Sequence, residues 1–182
     1  VDADSCARFE ARWGASWQSW DHGGCHFVVL NSALFNADSE IERAQGAWLA
    51  QDLVGHGRIF VFLHYPPFIL DPDEPSHYDN LANPARSWLL SLFLRHRVEA
   101  VFSGHVHNIF FNRLGSTQFY SIPSTAFVRP DYAELFPIGP AAENGRDDAD
   151  KLGLMLLHVN EAGHRVELVR TATDDLTWDH PP

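Results

Sequence analysis

The chain has 182 residues, 13 basic against 24 acidic for a net charge of -11, and it is 45% hydrophobic with six Trp. That length and apolar content suit one globular domain with a sizeable core and exclude a disordered chain. The acidic excess argues against nucleic acid as partner, since neutralising a phosphate backbone needs clustered Lys and Arg. A small phosphorylated substrate stays compatible with it, because bound dications would dominate the local field. No stretch reaches the length of a membrane-spanning helix, so no membrane partner is expected. Cys6 and Cys25 form neither a disulfide framework nor a zinc pattern, and they fit two thiols or a single bridge. The chain opens on Val1, which leaves an upstream signal peptide open. The compartment stays undecided, with the cytoplasm slightly favoured.

In chain order, residues 1–20 carry Phe9, Trp13, Trp17 and Trp20, and so much aromatic surface is expected to pack on a sheet rather than form a solvated tail. Residues 26–30 read as a strand after Gly23-Gly24, with His22 and His26 structural. Ser39 with Glu42 three residues later is a capping box, and Ile41, Ala44, Trp48, Leu49 and Leu53 then fall on one helical face that Gly55 terminates. Residues 59–63 are a buried strand ending at His64. Pro66 and Pro67 force an extended loop through 83 beside it, where His77, Tyr78 and Asp79 are candidates for substrate contact. Asn83-Pro84 opens the next helix, with Ala85, Trp88, Leu89, Leu92 and Phe93 as its buried stripe and Arg95, His96 and Arg97 suited to its C-terminal dipole.

Residues 100–103 are again a short apolar strand, and it runs into Gly104-His105-Val106-His107. Strand–helix–strand twice over implies a layered α/β fold around a mainly parallel sheet. Residues 118–122 read as a further strand, and 152–159 with 165–170 as a hairpin around Glu161-Ala162-Gly163. The stretch 123–151 between them is too long for a structureless connection. It is expected to serve as a lid or subunit contact, with Arg129 or Arg146 able to meet a phosphate bidentately. Residues 174–182 look like a loose tail.

Two parallel strands therefore deliver histidines to the carboxyl edge of the sheet, where open α/β folds bind ligands. Gly104 is expected to allow the tight turn that swings His105 and His107 towards one point. Three converging imidazoles at His64, His105 and His107 make a plausible metal site.

At Phe62-Leu63-His64-Tyr65-Pro66-Pro67, at Ser103-Gly104-His105-Val106-His107, and along 19–32 with Gln45-Gly46-Ala47-Trp48-Leu49, the sequence resembles the calcineurin-like metallophosphoesterases. The resemblance runs from about Trp13 to His107. It implies a layered α/β sandwich binding two metal ions (Mn, Fe or Zn), with His64 and His105 on one and His107 on the other. The family's Asp-x-His, Gly-Asp-x-x-Asp and Gly-Asn-His motifs are absent from the chain. What stands here is expected to be the C-terminal half of one domain spanning 1–182. It would hold part of the two-metal site and at most one weakly bound ion, with the catalytic residues in the missing N-terminal part.

Hydrolysis of a small phosphorylated substrate by metal-bound hydroxide is the expected activity of the intact domain. An inactive fragment or assembly module is the alternative, pairing with a complementary N-terminal fragment or with a second copy of itself. A mononuclear zinc hydrolase on the three histidines ranks last.

Overall fold

The apolar runs without helical period become the middle of a six-stranded sheet in the computed structural model, which describes residues 3–126 and 152–170. β2 (Cys25–Leu30), β3 (Ile59–Leu63), β4 (Ala100–Ser103) and β6 (Thr117–Ser121) run parallel as neighbours. β1 (Gln18–His22) and β5 (Phe110–Leu114) close the two edges antiparallel, giving the order β1-β2-β3-β4-β6-β5. The parallel centre follows the expectation. The edge strands β1 and β5 were not anticipated, because a half-exposed edge strand mixes charge with aromatics and loses the apolar run that marks a central one.

The two faces of this sheet differ in kind. On one, Val28, Leu30, Ile59, Val61, Leu63, Val101 and Phe119 form a core with Leu49 and Leu53 and with Leu89, Leu92 and Phe93. On the other, aromatic side chains pair across the register: Trp20 on Phe27 and Phe27 on Phe60, then Phe62 on Phe102 and Phe102 on Tyr120, with ring centroids 5.0–5.6 Å apart. Such cross-strand pairs hold register as well as burying area.

α2 (Glu40–Asp52) is capped by Ser39, whose hydroxyl accepts the Glu42 amide at 3.1 Å. The reciprocal half of the box is missing. Glu42 instead accepts the amides of Asn36 and Asp38, which the left-handed backbone at those residues turns towards it. The buried position on α2 is Gln45 rather than Ala44. Gln45 is fully buried and clamps both the amide and the carbonyl of Asn31, at 2.8 and 3.1 Å.

α3 (Ala85–Arg95) starts after Pro84, with the Ala85 amide donating to Asn36 Oδ1 and Asn83 Oδ1 accepting from Ser87. Its stripe departs from expectation at one place: Trp88 is exposed against Phe35, and the fully buried long side chain is Arg86.

α1 (Ala3–Trp13) is a helix where the sequence suggested an aromatic segment laid on the sheet. Cys6 is buried, but Phe9 and Trp13 are 50% and 69% exposed. Cys6 and Cys25 are both free and buried. Among the described residues no helix is long and apolar enough to cross a membrane.

The chain divides into two compact units where the sequence was read as a single domain: Val1–His105 with Phe110–Ser121, and Val106–Ile109 with Ile122–Pro182. The six-stranded sheet belongs to the first. In the second, β7 (Gly153–Asn160) and β8 (Gly163–Arg170) form an antiparallel hairpin, one residue longer than read at the first strand's end and two at the second's start. Arg129 and Arg146, and most of the expected lid, lie outside the described residues, as does the tail beyond 170.

Candidate metal centre

β3 and β4 end side by side, Leu63 opposite Ser103, so the chain leaves both strands at the same edge of the sheet. The two exits are tied together. The Gly104 amide donates to the His64 carbonyl at 3.0 Å, and Ser32 Oγ accepts the amides of His64 and Tyr65 at 3.1 and 2.9 Å. With the backbone fixed, His64 Nε2 and His105 Nδ1 face each other at 3.3 Å.

His105 is almost fully buried, and its other nitrogen decides its tautomer. Nε2 lies 3.1 Å from the Tyr78 carbonyl oxygen and 3.4 Å from Asp79 Oδ1. Both are acceptors, so the proton sits on Nε2 and the Nδ1 lone pair points at His64. The rings of Tyr65 and Tyr78 pack on His105, at 4.3 and 4.9 Å between centroids.

The turn itself is made differently from the expectation. Gly104 is not left-handed; His105 and His107 are, at φ 65° and 56°. Left-handed backbone at a non-glycine residue is uncommon and costly, and such residues gather at functional sites. An added methyl at Gly104 would meet only ordinary contact, 3.6 Å from His64 Nδ1.

Of the candidates on the loop after β3, Tyr78 and Asp79 are brought to His105. His77 instead accepts the Asp79 amide with Nδ1 and approaches Glu74 Oε1 with Nε2 at 3.4 Å. His107 falls in the second unit.

Two residues missed in the sequence hold this loop. Arg86, fully buried, donates from Nε to the Leu81 carbonyl at 2.7 Å and from Nη1 to the carbonyls of Pro72 and Glu74. Burial lowers its pKa against the raising pull of Glu74 and Asp73. The Glu74 carboxylate accepts the amides of Ile69, Leu70 and Asp71 and the Asn80 side chain. Burial alone would raise its pKa, but these hydrogen bonds outweigh it and hold the group below the ordinary 4.5. Nothing in a local pattern marks Arg86, one place after Ala85 of the expected stripe, as an arginine that turns inward.

Beside His64 lies a cavity of about 380 Å³ lined by Cys6 and Phe9 of α1 and by Leu30, Asn31 and Ser32 at the end of β2. It opens the exposed side of His64 to small molecules.

No protein-family model matches the chain. Among characterised proteins it is 37% identical over 112 residues to the serine/threonine-protein phosphatase CPPED1 of Danio rerio, covering 57% of this chain and 36% of that protein. The Homo sapiens protein of the same name is 34% identical over 114 residues, again 36% of its length. The chain thus spans little more than a third of these relatives. In fold it resembles GAP50, the anchor in the inner membrane complex of Plasmodium, at a TM-score of 0.56 and 12% identity over 89% of this chain and 51% of that one. Over rather more than half of its length, then, this chain is similar in sequence to these phosphatases.

Proposed function

We propose that the protein this sequence represents hydrolyses phosphoesters at the carboxyl edge of the sheet, with His64 and His105 as its share of a metal site. The observation that carries the reading is the pair of facing nitrogens, His64 Nε2 and His105 Nδ1, 3.3 Å apart. Two nitrogens bound to one tetrahedral ion at 2.0–2.1 Å stand about 3.3 Å apart, so this pair fits a shared ion. Imidazole suits Mn, Fe or Zn better than Mg. When bound, such ions supply hydroxide near neutral pH and neutralise phosphoryl oxygens.

The chain's own residues do the positioning. The Tyr78 carbonyl and Asp79 hold the His105 proton on Nε2, which leaves Nδ1 as a ligand atom. Arg86 and Glu74 hold the loop that presents those two acceptors. By resemblance His107 would meet the second ion. The Tyr78 ring, 72% exposed, offers substrate a flat contact at the mouth. His77 behind it and Arg129 or Arg146 are the further candidates for binding the phosphorylated group. The relatives' name makes phosphorylated serine and threonine the first substrates to try.

Because the three carboxylate and asparagine motifs are absent, the 182-residue chain is expected to bind one ion loosely and to turn over a chromogenic phosphoester no faster than background. One manganese or zinc ion fewer retained by His64→Ala/His105→Ala than by the unaltered chain supports the site. Equal counts in the two overturn it. Rapid metal-dependent turnover lost in His105→Ala would keep the function and overturn the half-site.

A second reading has its own observation. Phe9 and Trp13 stand exposed on the helix that walls the cavity beside His64, as a surface completed by another chain would. A dimer by light scattering, lost in Phe9→Ser/Trp13→Ser, supports that assembly role. A monomer speaks against it.

A further inference from the structure

We propose a second metal site at the opposite end of β2, formed by Asp21, His26 and His56 and selective for a zinc-type dication. β1 and β2 pair so that Asp21 stands against His26, and the turn before β3 brings His56 over the same ring. The two imidazoles stack at 3.6 Å between centroids and 15° between planes. Asp21 Oδ1 lies 2.8 Å from His26 Nδ1 and 3.5 Å from His56 Nδ1. One ligand atom from each residue falls within 4.8 Å of the other two.

Behind these three atoms is a built support. His26, 4% exposed, has its Nε2 2.8 Å from Asp52 Oδ2, and Asp52 Oδ1 accepts the Ser19 hydroxyl at 2.8 Å. A carboxylate behind one ring nitrogen fixes the proton there and turns the other into a ligand atom, the arrangement that orients metal-binding histidines. His26 Nδ1 then faces the Asp21 carboxylate. A dication there would be met by that nitrogen, the Asp21 carboxylate and His56 Nδ1, with any proton on His26 Nδ1 leaving to solvent. Two imidazole nitrogens and one carboxylate oxygen suit zinc. Asp21 is 69% exposed and His56 31%, which leaves an entry path and a fourth position for water. His26 pairs with Ile59, five residues before His64 and about 17 Å along the strand from it, so the two sites are separate.

The test is calorimetric titration of Zn²⁺ into the His64→Ala/His105→Ala/His107→Ala chain, which lacks the first set of ligands. One ion should bind, and its affinity should fall roughly tenfold or more in the added His56→Ala or Asp21→Asn, both surface changes. Absence of binding, or binding indifferent to both changes, overturns the proposal. Should the triple variant fail to fold, the unmodified chain decides: His56→Ala must lower its zinc stoichiometry by one, and an unchanged stoichiometry overturns the site.

Discussion

The two ends of the central strands carry the same device in different electrostatic settings. At the carboxyl end His105 is buried, its Nε2 held by the Tyr78 carbonyl at 3.1 Å, and its Nδ1 faces His64. At the amino end His26 is buried, its Nε2 held by the Asp52 carboxylate at 2.8 Å, and its Nδ1 faces Asp21 with His56 stacked above. A neutral carbonyl is the nearest acceptor to His105 Nε2, where His26 has a carboxylate. Two carboxylates stand around His26 and suit a structural cation site. α2 joins the two: Gln45 clamps the end of β2 at Asn31, and Asp52, at its other end, holds His26.

The largest effect on this comparison should come from Arg86→Met. It strips the carbonyls of Leu81, Pro72 and Glu74 of a buried charged donor, and about 3 kcal/mol of stability should go with it in urea unfolding. Metal binding at His64 and His105 should weaken, and the His26 cluster should keep its ion. Equal loss at both ends would mean they are not independent.

Gln45→Leu leaves the Asn31 amide and carbonyl without their partner inside the protein. It should cost about 2 kcal/mol and loosen the carboxyl end first, seen as faster hydrogen exchange at Asn31 than at His26.

Glu74 gives a pH-dependent handle on the carboxyl end alone. Its folded-state pKa lies below the ordinary 4.5, so the stability it contributes is complete above that value. That contribution is lost as pH falls through the folded pKa. The urea midpoint should therefore drop below about pH 4.5, and Glu74→Gln should flatten that drop.

The smallest effect belongs to the amino end. Ser19→Ala removes one hydrogen bond to Asp52 and should cost about 1 kcal/mol with only a modest loss of zinc affinity.

Why one end was legible in the sequence and the other was not follows from how each is assembled. The carboxyl end announces itself through two apolar runs that each stop at a histidine, and through Gly104-His105-Val106-His107 in continuous order. The parallel centre of the sheet was legible for the same reason. The amino end draws on residues 19, 21, 26, 52 and 56, from two strands, a helix end and a loop, and no local pattern links them. His26 read as structural because a single histidine in a strand usually is. The stripe on α3 failed at Trp88 and Arg86 because helical period cannot tell which of two adjacent positions turns inward; a buried arginine became possible only once the loop carbonyls were there to receive it. The left-handed turn at His105 was likewise credited to Gly104, since glycine is the usual bearer of positive φ.

The measurement closest to the central claim counts zinc ions retained after dialysis, by elemental analysis, in the His56→Ala chain and in the His56→Ala/His105→Ala chain. With the amino-end site removed from both, one ion in the first and none in the second is the predicted result. Equal counts in the two would contradict a metal centre on His64 and His105.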